Sequence, residues 1–190
     1  MYNGGTLSFD GTAGQLFSIT DSLSGSIFSV NDISGIPSIE VFANGEIRLA
    51  QYSGNVEIGG INPTHKLEVN GAVAVTNTGG SVISAMYGNI FTTSAVTSYT
   101  VDTFPSATYR SAKYFAQQSS GTTYGVIELN LVHDGTTVYL AQYGENKTNS
   151  SANLGIFDAS ITSGALNLTY TPGSVYTAQT LKISRIAVAS

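Results

Sequence analysis

The 190-residue sequence predicts an all-β protein: a short-strand repetitive trimeric β shaft followed by a C-terminal antiparallel β-sandwich head. Three observations predict it. Apolar residues recur in brief alternating groups, Gly, Asn or Asp turns close each group, and the groups lengthen from about residue 98 onward. No stretch has the 3.6-residue period of a long amphipathic helix.

Residues 1–75 carry the shortest groups: Leu7/Phe9, Leu16/Phe17/Ile19, Ile27/Phe28/Val30, Ile39/Val41, Ile47/Leu49, Val56/Ile58, Leu67/Val69 and Val73/Val75. That is a strand of a few residues about every ten. One stretch repeats: Leu16-Phe17-Ser18-Ile19-Thr20-Asp21-Ser22-Leu23-Ser24-Gly25 aligns with Ile27-Phe28-Ser29-Val30-Asn31-Asp32-Ile33-Ser34-Gly35 after one deletion. Asn44-Gly45 predicts a two-residue hairpin in which both central residues take positive φ, and Asn70-Gly71 reads the same way. Strands this short bury too little to stand alone, so the missing partner is expected to be another chain. Three copies about one axis supply it, with Leu16, Ile19, Ile27, Val30, Ile39, Ile47 and Leu67 as the expected trimer core. The alternative is a small monomeric roll in which these strands make their own core.

Residues 76–97 read as a neck, because Asn77-Thr78-Gly79-Gly80-Ser81 is a linker signal and the apolar residues after it are weakly periodic. Residues 98–190 predict about seven longer strands: 99–104, 107–117, 124–133, 137–143, 154–161, 165–171 and 178–189. The clearest runs from Val126 to Val132, with Val126, Glu128, Asn130 and Val132 on one face and Ile127, Leu129 and Leu131 on the other. His133-Asp134-Gly135 closes its hairpin. Meander spacing of this kind fits a sandwich.

Only 10% of the residues are charged, against roughly a quarter in ordinary domains, and the net charge is −5. So weakly charged a β-rich surface points to burial between subunits. The seven Lys and Arg form no run, which argues against nucleic acid as a partner. No apolar stretch approaches the roughly 20 residues of a membrane span, so membrane insertion is not expected. Met1-Tyr2-Asn3-Gly4-Gly5 lacks the features of a signal peptide, and synthesis in a cytoplasm is the expectation. The sequons at Asn146, Asn149 and Asn167 are accidental on that reading.

Chemistry is sparse. His65 and His133 are expected at surface turns, with no metal-ligand spacing around either. Neither a phosphate loop nor a nucleophile motif occurs, and no cofactor is expected. The head carboxylates Asp102, Glu128, Asp134, Glu145 and Asp158 could include a pair flanking a glycosidic bond, but most lie at turn or strand-end positions. The reading is therefore of a chain that is not an enzyme. Tyr99, Tyr109, Tyr114, Tyr124, Tyr139, Tyr143, Tyr170 and Tyr176 either fill the core or offer flat faces to a sugar. The polar stretch 144–153, without an apolar anchor, is expected to be a surface loop, and Tyr143, Glu145, Asn146, Lys147, Asn149 and Asn153 are the expected receptor contacts.

Gly11-Thr12-Ala13-Gly14-Gln15-Leu16-Phe17-Ser18-Ile19-Thr20-Asp21, with residues 28–41, resembles stretches of tail-fibre and virion structural proteins of tailed phages, notably those of marine bacteria and cyanobacteria. Asn55-Val56-Glu57-Ile58-Gly59 followed by Asn62-Pro63-Thr64-His65-Lys66-Leu67-Glu68-Val69-Asn70-Gly71 is similar to a shaft element of such fibres that often precedes an intramolecular chaperone domain. No such domain is recognisable here, and the expected sandwich takes its place. The resemblance covers roughly the first 75 residues. It implies a homotrimeric fibre or spike subunit on the virion surface, joined to other virion proteins at its N-terminal end, whose head meets a host-surface glycan or protein. Two alternatives stay open: a capsid, tail or baseplate decoration protein without receptor binding, and a glycan-depolymerising tailspike.

Overall fold

A computed structural model of the chain describes residues 5–12, 14–21 and 24–190. The first four residues, Ala13, and Ser22 and Leu23 of the first repeat copy lie outside the described residues. The protein is all-β, with sixteen strands and no helix among the described residues. It divides into two compact units, Met1–Asn70 and Gly71–Ser190.

In the first unit, β1 (Thr6–Gly11), β2 (Gly14–Thr20), β3 (Ser26–Asn31), β4 (Pro37–Phe42) and β5 (Ile47–Leu49) form an antiparallel meander in chain order. The register places apolar residues opposite one another across all five strands. Leu7 faces Ile19 and Phe9 faces Phe17; Phe17 then faces Val30, and Ile19 faces Phe28. Beyond them, Phe28 opposes Val41, Val30 opposes Ile39, and Ile39 and Val41 oppose Leu49 and Ile47. Cross-strand partners share a face, so one side of this sheet is apolar and the other carries Ser8, Ser18, Ser29, Glu40 and Arg48. Ring contacts at 5.9 Å between Phe9 and Phe17 and at 5.4 Å between Phe17 and Phe28 follow from that register.

The expected two-residue hairpin at Asn44-Gly45 is instead a longer turn. Gly45 N–H donates to Phe42 C=O at 2.9 Å, Phe42 N–H donates to Glu46 C=O at 2.8 Å, and only Gly45 takes positive φ (86°). A four-residue turn with a left-handed glycine as its last member suits the strand twist as well as Asn-Gly does. Asn70-Gly71, by contrast, makes no hairpin. β7 (Leu67–Val69) pairs in parallel with β6 (Val56–Ile58), whereas β8 (Val73–Thr76) joins the second unit.

That second unit contains β8, β9 (Val82–Thr93), β10 (Tyr99–Pro105), β11 (Tyr109–Ser120), β12 (Thr123–His133), β13 (Val138–Lys147), β14 (Gly155–Thr162), β15 (Ala165–Pro172) and β16 (Gln179–Ala189). A six-stranded sheet, β13-β12-β11-β16-β9-β8, faces a three-stranded one, β10-β15-β14. Strict alternation builds the core between them: Ile127, Leu129 and Leu131 of β12, Tyr114 and Ala116 of β11, and Leu181 and Ile183 of β16 meet Val101, Phe104, Phe157, Leu166, Leu168 and Tyr170. The expected face of Ile127, Leu129 and Leu131 is thus the inner one.

Residues 76–97 are not a neck. Asn77 Oδ1 accepts from the backbone N–H of Gly79 and of Ser81, both at 2.9 Å, and Gly80 has φ 79°. The Gly-Gly stretch is therefore a hairpin turn, and the residues after it form a twelve-residue strand in the main sheet. His133 is not at the surface but 2% exposed. Gly135 N–H donates to its Nδ1 at 3.1 Å, which makes Nε2–H the donor to Tyr109 C=O at 2.8 Å. His65 is exposed at its turn, as expected.

Leu168, fully buried, should lose about 2–5 kcal/mol on truncation to alanine. Ile156, 63% exposed, should lose little. Urea denaturation of Leu168→Ala and Ile156→Ala against the unaltered chain gives both values.

Candidate functional site

Four of the six expected receptor contacts, Tyr143, Glu145, Asn146 and Lys147, lie on the edge strand of the main sheet. β13 is the outermost strand, and its pairing with β12 is interrupted: Val126 faces Asn146 while Glu128 faces Tyr143, so Gly144 and Glu145 stand together against Ile127. Such an extra residue bends the strand and re-aims its side chains. Gly144 at φ 65° provides the left-handed step.

Strand pairing therefore continues through Lys147, and the polar stretch is not one loop from residue 144. It also has an apolar anchor, because Ala152 is 3% exposed, and Leu154 just past its end is 1% exposed. The reason is local. Asn149 C=O accepts from Ala152 N–H at 3.0 Å and Asn149 Oδ1 from Ser151 N–H at 3.1 Å, a tight turn that drives Ala152 inward.

The six expected contacts separate into three places. Asn146 and Lys147 line a shallow open depression of about 380 Å3 with Tyr124, Val126 and Thr148. Glu145 sits 3.1 Å from Lys147 as its ion partner. Tyr143 lies farther along the same outer face as Asn146, opposite Glu128, where the Lys113 ammonium is 5.8 Å above its ring and 2.6 Å from Glu128. Asn149 and Asn153 belong to the turn. Tyr124, 47% exposed beside Asn146, was missed as a contact, although a Tyr on the outer side of an alternating strand could have marked it.

Of the expected trimer core, Ile19, Val30, Ile39 and Ile47 share the apolar face of the meander. Leu16 and Ile27 do not keep that register. Each is the extra residue at a pairing shift, Leu16 between the Phe9–Phe17 and Asp10–Gln15 pairs and Ile27 between the Ser26–Phe42 and Phe28–Val41 pairs. Leu67 belongs to the separate parallel ladder.

Each head carboxylate is engaged. Asp134 Oδ1 accepts from Thr136 N–H and Thr137 N–H at 2.9 and 2.8 Å, and these backbone donors hold its carboxyl down at about 2. The Lys113 ammonium keeps the Glu128 carboxyl below the ordinary range. Asp158 caps Ala159 N–H at 2.8 Å. Asp102 is buried, where its Oδ2 accepts from Arg185 Nη1 at 2.5 Å and from Tyr114 O–H at 2.8 Å. Burial pushes the Tyr114 hydroxyl far up, with the neighbouring Asp102 charge adding to it, so Tyr114 stays a neutral donor.

No protein-family model and no curated protein matches the sequence. Solved structures similar to the chain include three phage tailspikes. The tailspike protein of Acinetobacter phage vB_ApiP_P1 matches 83% of it at 16% identity with a TM-score of 0.40. Tailspike protein gp49 of Acinetobacter baumannii bacteriophage Fri1, a capsular polysaccharide depolymerase, matches 62% at 15% identity and 0.39. The tailspike protein of Acinetobacter baumannii phage AM24 matches 56% at 13% identity and 0.34. The matches span 27%, 20% and 26% of those chains, so this chain corresponds to between a fifth and just over a quarter of their length. The expectation that the chain is not an enzyme is overturned here, because a solved chain similar to it is a depolymerase. A sequence without a catalytic motif excludes no such activity.

Two measurements test the electrostatics. Asp102→Ala leaves Arg185 buried without its counter-charge and should cost about 3–5 kcal/mol in denaturant unfolding. The depressed Asp134 favours the folded state fully above its ordinary value of 3.8 and loses that effect as pH falls toward 2. The thermal midpoints of the unaltered chain and of Asp134→Ala should therefore differ at neutral pH and converge as the solution is acidified through that window.

Proposed function

We propose that the chain is a structural subunit of a bacteriophage tail fibre or spike, of the type carried by tailed phages of marine bacteria and cyanobacteria, displayed as a homotrimer on the virion surface. Its first unit forms the shaft and joins other virion proteins, and its sandwich head engages a host-surface glycan or protein. The observation that carries this reading is the apolar face of the five-stranded meander. Phe9, Ile19, Ile47 and Leu49 on that face are 60%, 46%, 64% and 51% exposed, with Leu7 at 48% and Ile39 at 38%. So continuous an apolar surface marks an interaction site. The opposite face is polar, so the demand is one-sided, and copies of the same sheet meet it symmetrically.

In the head, the β13 edge offers a contact surface suited to weak binding repeated across three subunits. Asn146 and Lys147 present hydrogen-bond donors beside the Tyr124 ring. Linked weak sites gain effective affinity without a deep pocket.

Sedimentation velocity on the full chain should give a trimer. Ile19→Lys places three like charges in an apolar interface and removes burial worth about 1.5–3 kcal/mol per side chain, so it should yield smaller or aggregated species. Ser8→Lys, on the polar face, should leave the trimer intact. A folded monomer in the unaltered chain sinks the shaft reading. Host-cell pull-down with the full chain should be lost in the Asn146→Ala/Lys147→Ala variant, and oligosaccharide released from the same envelopes reports whether binding is followed by cleavage.

A further inference from the structure

The six-stranded sheet is wider than the sheet that covers it. β9 lies beyond β16 in the main sheet, while β10 is the last strand of the three-stranded sheet. Inward-facing Tyr87, Asn89 and Phe91 of β9, between the buried Ala85 and Thr93, are only half-covered. With Thr100 and Thr103 of β10 and Arg185 of β16 they line a cleft of about 380 Å3. That volume is within the range of small-molecule sites.

The chemistry of the cleft is specific. Arg185 is 8% exposed, and while its Nη1 is held by Asp102, its Nε is buried with no hydrogen-bond partner. Buried N–H groups are normally paired, so this donor calls for an acceptor. The guanidinium is fixed by more than the ion pair, lying 4.8 Å from the Phe104 ring centre and 5.3 Å from that of Tyr87. Its charge is already balanced by Asp102. An incoming anion would meet that carboxylate as well as the guanidinium, whereas an uncharged oxygen can accept from Nε–H without repulsion. The cleft that holds this arginine is lined by the Tyr87 and Phe91 rings, by Thr100 and Thr103, and by Asn89, whose Nδ2 donates to Val101 C=O at 3.3 Å and whose Oδ1 accepts from Ile90 N–H at 2.9 Å. Such a combination of apolar ring surface with convergent polar groups matches a pyranose, which carries C–H faces and hydroxyls together. A phosphate-bearing ligand is disfavoured by the net charge of −5.

We propose that this cleft binds one uncharged pyranose unit of a glycan, a ring hydroxyl or acetamido oxygen accepting from Arg185 Nε–H while the sugar packs against Tyr87 and Phe91. The site is distinct from the β13 edge, and the lining of the cleft by itself sets its ligand class. It stands whether or not the edge meets a host.

The test is titration of the full chain with methyl α-D-glucopyranoside, methyl α-D-galactopyranoside, N-acetylglucosamine and glucuronate, followed by saturation-transfer NMR and calorimetry. At least one uncharged sugar should saturate with a Kd on the order of a millimolar, and glucuronate should bind at least ten-fold more weakly. Tyr87→Ala should weaken that binding at least ten-fold, as should Thr103→Arg, which fills the cleft from its exposed rim and serves where the first variant fails to fold. Asn146→Ala/Lys147→Ala should leave it unchanged, which separates this cleft from host attachment at the edge. No saturable binding of any of the three uncharged sugars overturns the proposal. So does glucuronate binding as tightly as they do, or full affinity retained in both folded cleft variants.

Discussion

A β-sheet with one apolar face has to cover it, and the two units of this chain meet that requirement in different ways. In the second unit the chain supplies its own cover: three strands lie over the inner face of six, and Leu129, Leu166, Leu168 and Leu181 are sealed completely between them. In the first unit five strands align Phe9, Phe17, Phe28, Val30, Ile39 and Ile47 on one side, and among the described residues the other ladder has only two three-residue strands, no second layer of comparable size. The contrast is one of chain length per strand. Five strands of the main sheet run ten to twelve residues and are covered by strands of seven and eight, whereas the meander's strands of three to seven make a narrow ribbon.

Polar groups inside the sandwich are few and each ties distant parts of the chain together. Tyr170 O–H donates to Leu154 C=O at 2.6 Å and contacts Gln179, whose Nε2 also reaches Leu154 C=O and Tyr176 C=O, so one cluster fastens the turns before β14 and β16. His133 fastens the β12–β13 corner to the start of β11. Arg185 and Asp102 join the two sheets across the core. Since a buried donor without a partner is expensive, these contacts fix a single arrangement of sheets that apolar packing alone would leave freer to slide.

Period and turn chemistry made much of the sandwich legible in the sequence. The alternation of β12 and the Asp134-Gly135 corner needed no knowledge of neighbours, and the structure follows both. What the sequence concealed depended on partners far along the chain. His133 looks like a turn residue until Tyr109 C=O is seen to accept its proton, and Asp102 looks like a surface carboxylate until Arg185, 83 residues later, is placed beside it. Leu16 and Ile27 show why an apolar pattern overstates a shared face: one extra residue in the pairing removes a side chain from the row its sequence spacing assigns it. Asn70-Gly71 has the composition of a hairpin, yet β7 is claimed by the parallel ladder, an outcome that depends on β6 nine residues upstream of β7 and not on the dipeptide. Within the expected contact surface, Asn146 and Lys147 meet at one depression, while a bulge that composition does not announce keeps Tyr143 on the same outer face as Asn146, beside Glu128 and not in that depression.

The strand that comes last in chain order within the main sheet occupies its middle. β16 pairs with β11 on one side and β9 on the other, bringing Gln179 opposite Thr93. During synthesis the sheet therefore exists first as two separate pieces, a β8–β9 hairpin and a β11–β12–β13 meander, each with an open hydrogen-bonding edge. Only when β16 clears the ribosome can they be zipped into one, so the head is assembled after translation of nearly all of its length and not strand by strand. A nascent head waiting for its central strand exposes two sticky edges, and neighbouring copies on the same messenger are close by at that moment.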